Sequence, residues 1–230
     1  MPNRLIANMR VANDERHTGA TRRSVLALAA GFGSLALLPA TLYAKRPANQ
    51  YGVLNSVVKN RGPAPDDFLS ELIAWGKSAP SEIFEPNRNI DVYCSVAKAL
   101  GPWQGSKHRR ASMLEVMRVL AGFESSWNWN AGVDITNPTS VTATTIEAGA
   151  WQVSANSINF GTDLKALIID KVGTVEGNAF QKAIKSNHSL AMEYVARLLR
   201  HTVNHHGPVK HHYIDAWLRK DAVENFIELI

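Results

Sequence analysis

The chain has 230 residues, 45% of them apolar, with six tryptophans, one cysteine and a formal net charge of +5, enough to bury one substantial core but not to make a disulfide framework. Residues 1–44 hold five arginines against two acids, a net +3, so residues 45–230 keep only +2. This balance excludes a strongly basic nucleic-acid surface, and no basic run interleaved with aromatics supplies one.

At the N-terminus, Thr21-Arg22-Arg23-Ser24 precedes an apolar, small-residue run from Val25 to Leu38 and then Pro39-Ala40-Thr41-Leu42-Tyr43-Ala44. Paired arginines, a modest apolar region and a small residue at the cleavage point read as an export signal of the twin-arginine type over 1–44. The apolar run is shorter than the roughly 20 residues needed to span a bilayer. The processed protein is therefore expected to have no stable membrane span and to be periplasmic or secreted. Residues 45–65, with Pro47, Gly52, Gly62, Pro63 and Pro65, read as an irregular linker or surface segment, and 66–230 as a single domain.

The first helix is expected after Pro65, with Asp66 as its cap and Phe68, Leu69, Leu72, Ile73 and Gly76 along one side. A second covers about 90–100, stopped by Gly101-Pro102; Cys94 within it reads as a small buried hydrophobe. A third runs over about 111–124. Its Met113, Met117, Leu120 and Glu124 fall at spacings of four, three and four, which puts the Glu124 carboxyl on the apolar face. A carboxyl held there loses hydration and gains proton affinity, as a general acid requires. The Thr-, Asn- and Gly-rich stretch 127–150 reads as loop and short strand, and helical periodicity returns at 163–172, 176–185, 189–203 and 213–230. The fold class is mainly α.

Three segments then occur in order: Glu124-Ser125-Ser126-Trp127-Asn128, Gly149-Ala150-Trp151-Gln152-Val153-Ser154, and Val203-Asn204-His205-His206-Gly207-Pro208. Together they resemble the lysozyme-like superfamily of goose-type lysozymes and lytic transglycosylases. The resemblance implies a lysozyme-like α+β domain that cleaves the β-1,4 bond between N-acetylmuramic acid and N-acetylglucosamine. Its partners would be peptidoglycan glycan strands, met as a monomer and without a cofactor.

On this reading Glu124 is the general acid. Ser125 and Gln152 offer hydrogen bonds to the sugar or to the loop, and Asn204 matches the family's cleft asparagine. Trp127 and Trp151, with Trp129, offer flat faces to sugar rings. Two features depart from the family: Val203 replaces its usual tyrosine, with His205 as the substitute polar group, and Ser154 replaces the aspartate of goose-type enzymes. Asp134 and Glu147 are the remaining candidates for a second carboxylate. A catalytically altered glycan-binding or interaction protein on the same fold is the alternative, and a chitinase-like hydrolase a further one. The cluster His201, His205, His206, His211 and His212 contains no His-Glu-x-x-His pattern, so no metal is expected.

Overall fold

The computed structural model describes residues 51–201 and 206–230, all within one compact unit. The expected export signal lies outside these residues. The lead-in is described from Tyr51 and is fastened to the core: Leu54 and Val58 are buried, and the Asn55 amide donates to Ala64 O and Asp66 Oδ1, both at 2.9 Å.

The first helix, α1, spans Asp66–Ser78 and buries the five residues expected of it. Pro65 is its cap; Asp66 is the first helical residue, and its side chain holds Asn55 instead. The helix expected over 90–100 is two single turns, α2 (Val92–Ser95) and α3 (Ala97–Leu100), meeting at Val96. Asp91 caps α2 by accepting from Tyr93 N at 3.0 Å and pairs with Arg200. Cys94 is exposed, contrary to the expectation of burial.

The central element is α4, Ser106–Ser125. Its buried side is not a stripe: every residue from Ala111 to Gly122 is buried, because α1 and three later helices, at His188–Leu198, Gly207–Lys210 and Lys220–Leu229, surround it. Enclosure captures two charges, Glu115 and Arg118, both fully inaccessible. They form a two-pronged pair, Nε to Oε2 at 2.7 Å and Nη2 to Oε1 at 2.8 Å. Arg118 Nη1 also donates to Ser56 O, and Glu115 Oε1 accepts from Arg219 N at 3.0 Å. The pair thus ties the lead-in and the last helix to α4.

After α4, a long loop leads to β1 (Glu147–Ala148), which pairs antiparallel with β2 (Val153–Ser154), Glu147 opposite Ser154 and Ala148 opposite Val153. Then follow α5 (Thr162–Val172), α6 (Gly177–Ser186), α7 (His188–Leu198) and α8 (Gly207–Lys210). Glu176 caps α6 by accepting from Asn178 N and Ala179 N, both at 2.9 Å. The helix expected over 213–230 is interrupted: a 3-10 turn at Asp215–Trp217, extended backbone at Leu218 and Arg219, then α9 (Lys220–Leu229). The Arg219 amide that would continue the helix is committed to Glu115. The described residues are thus mainly helical with one small sheet, and no helix among them is long and apolar enough to cross a membrane.

Candidate active site

Glu124 sits in the last turn of α4, half-buried, with 19% of its side chain exposed. Beyond it the chain reverses through two consecutive left-handed residues, Ser126 (φ 59°) and Trp127 (φ 61°). A left-handed backbone is unusual for a bulky non-glycine residue and persists only where the surroundings impose it. Here the imposing contacts are visible. Trp127 N donates to Ala121 O at 3.1 Å, its indole N–H donates to Arg118 O at 2.9 Å, and its ring lies over Gly122. A Cβ on Gly122 would stand 2.5 Å from that ring.

The opposite wall is the hairpin between β1 and β2. Gly149 (φ 72°) and Gln152 (φ 49°) make its turn; the Gln152 side-chain amide donates to Gly149 O at 3.0 Å. Trp151 is buried, and its indole N–H donates to Met117 O at 2.8 Å. Ser125 joins the two walls: its hydroxyl donates to Ala150 O at 2.8 Å and accepts from Asn128 N at 3.0 Å. The sequence left open whether Ser125 meets sugar or holds the loop, and its hydrogen bonds go to the loop.

The tryptophans are a correction. Trp127 and Trp151 are 4% and 1% exposed, with their indole N–H groups spent on α4 carbonyls, so neither offers a face to a ligand. Trp129 is half-buried, and the His188 imidazole stacks on its ring, centroids 3.9 Å apart and planes 8° apart. Period and composition do not distinguish an indole that lines a cleft from one that closes the core beneath it. Asn204 and His205 lie outside the described residues, as does Val203.

Burial pushes the Glu124 carboxyl above its ordinary range. His206 and Lys59 oppose this by charge; Asp134 and Glu147 reinforce it. Both candidate second carboxylates are therefore near enough for Glu124 to feel them. Asp134 accepts from Thr136 N at 2.8 Å and Thr136 Oγ1 at 2.6 Å, and those bonds hold it below the usual carboxylate range. Glu147 accepts from the Asn137 amide at 2.6 Å and from the Ser140 hydroxyl. Val133, Ile135 and Val141 expose apolar side chains on the same loop.

The group nearest in character to Glu124 is one the sequence reading passed over. His206 places Nδ1 3.4 Å from Glu124 Oε1 and Nε2 2.8 Å from Trp151 O. In sequence it is one member of a histidine-rich stretch, and nothing there distinguishes it from its neighbours. The others disperse: His201 pairs with Asp163 at 2.9 Å and His212 with Asp215 at 3.2 Å. Among the described residues, no group of three or more His, Cys, Asp or Glu side chains converges for a metal ion. Beside His206, a hollow of about 150 Å³ is lined by Gln152, Ser154, Ser157, Phe160 and Leu198. The arrangement is a desolvated carboxyl, an imidazole against it, and two further carboxyls near enough to act on it by charge. No family model, no curated protein and no solved structure matches the chain.

Proposed function

We propose that this chain is a peptidoglycan-cleaving glycosidase with a lysozyme-like domain, acting on the β-1,4 bond between N-acetylmuramic acid and N-acetylglucosamine after export to the periplasm or beyond. The observation that carries the reading is the Glu124 carboxyl, made more basic by burial at a helix end between two walls whose turns hold four residues of positive φ, Ser126, Trp127, Gly149 and Gln152. A carboxyl of that kind stays protonated to higher pH than an exposed one and can donate to a glycosidic oxygen. In the proposed step the proton passes from Glu124 to the leaving oxygen as the C1–O bond breaks. An attacking hydroxyl then bonds to C1 and returns its proton to the Glu124 carboxylate.

The attacking hydroxyl is water in a hydrolase and the sugar's own 6-hydroxyl in a lytic transglycosylase. Two features favour the second: hydrogen bonds from Thr136 hold Asp134 below the usual carboxylate range and so make it a weak base, and both carboxyl oxygens of Glu147 accept from protein donors. Digestion of purified sacculi, read by mass spectrometry, tests this. The protein is expected to release muropeptides lighter by one water than hydrolytic products, and Glu124→Gln to lose 10²-fold or more, about the scale of general-acid catalysis. Equal release by both proteins would overturn the assignment of Glu124, and release by neither would favour a glycan-binding module.

A further inference from the structure

His206 is oriented by a group other than Glu124. Its Nε2 lies 2.8 Å from the Trp151 carbonyl oxygen, and a carbonyl only accepts, so Nε2 carries a hydrogen. In the neutral imidazole this leaves a lone pair on Nδ1. That nitrogen is buried, makes no hydrogen bond, and stands 3.4 Å from Glu124 Oε1. A lone pair and a carboxylate cannot bond each other. One proton between them can be held as O–H to N or as O⁻ to H–N⁺, and a small rotation closes the gap to hydrogen-bond length, as apo catalytic contacts commonly do on binding.

The geometry points to a proton-sharing pair, in which Glu124 and His206 hold one proton jointly and His206 acts as a positioning residue for the proton that Glu124 delivers. The Trp151 carbonyl selects the tautomer, so the buried hairpin turn, and not the substrate, decides which imidazole nitrogen meets the acid. Among the described residues, the charged groups besides His206 that act on Glu124 are Lys59, Asp134 and Glu147; the hollow beside His206 is otherwise lined by uncharged residues. The catalytic role of the pair rests on the function proposed above, whereas its existence does not.

The test needs no substrate. Carboxyl-¹³C glutamate is incorporated into the protein, and the Glu124 resonance is identified by its loss in Glu124→Gln. Two interacting groups titrate in steps that belong to both, so the Glu124 carbon is expected to follow two resolved steps in the wild type and one in His206→Gln. The imidazole ¹⁵N pattern at high pH is expected to be that of the Nε2–H tautomer. A single wild-type step, or an Nδ1–H tautomer, overturns the proposal. Should His206→Gln not fold, the wild-type curve and tautomer decide alone. Two steps without glycan release would reject the enzymatic reading and leave the pair standing.

Discussion

A carboxyl that burial makes more basic costs the fold something whenever it ionises. Glu124 titrates higher in the native protein than in the unfolded chain, so the native state binds more protons across that interval. Stability is therefore lost as pH rises from the unfolded value toward the native one, and no loss occurs below both. Glu124→Gln removes the term. The variant is expected to melt above the wild type at pH 7 to 8 and with it near pH 3, each 1 kcal/mol being about 2–4 °C in a domain of this size; a thermal melt series across pH checks it. Equal melting temperatures throughout would mean that the carboxyl is hydrated. The sequence made Glu124 legible because helical spacing and the Glu-Ser motif agree. It did not mark His206, whose meaning comes from a carbonyl contributed 55 residues earlier in the chain. It misassigned Trp127 and Trp151, since nothing local records that an indole N–H will reach a neighbouring helix.

Helices were legible where one apolar face turns to the core and the other to solvent. The periodicity of α1, α5 and α6 matches their observed spans to within a residue or two. It failed where a tertiary bond overrode local preference, as at Arg219, whose amide goes to a carboxylate on α4. The Glu115 to Arg118 pair is the element-scale keystone of that arrangement. Removing one partner leaves a buried charge unmatched, so Arg118→Leu is expected to cost about 3–5 kcal/mol in denaturant unfolding. Replacing both residues by leucine is expected to recover a large part of that loss, and a double-mutant cycle measures how much. A second prediction concerns how closely α4 approaches its own returning loop. Gly122→Ala places a Cβ against a buried, rigid ring, an overpacking expected to cost about 1–3 kcal/mol. It would also shift the Trp127 turn and so lower glycan release more than it lowers thermal stability at the assay temperature; unchanged release would show that the turn does not set the position of Glu124.

For the whole molecule, helical periodicity bounded the mainly α content, while the long loop over 127–146 carried no period from which its course could be read. Export is the prediction at this scale. Changing Arg22 and Arg23 together to lysine is expected to abolish appearance of the processed protein outside the cytoplasm, followed by fractionation and immunoblot; unaltered export would refute a twin-arginine signal. One feature of the site reaches across the same scale. The indole N–H groups of Trp127 and Trp151 bond the neighbouring carbonyls of Arg118 and Met117, in the most enclosed part of α4. Each wall of the site is thereby pinned to a fully buried stretch of α4, and because such core groups open least often, these two indole protons are expected to exchange with solvent as slowly as the slowest backbone amides. A glycan strand would then meet a floor as rigid as the core itself, and whatever motion admits it must come from the outer loop.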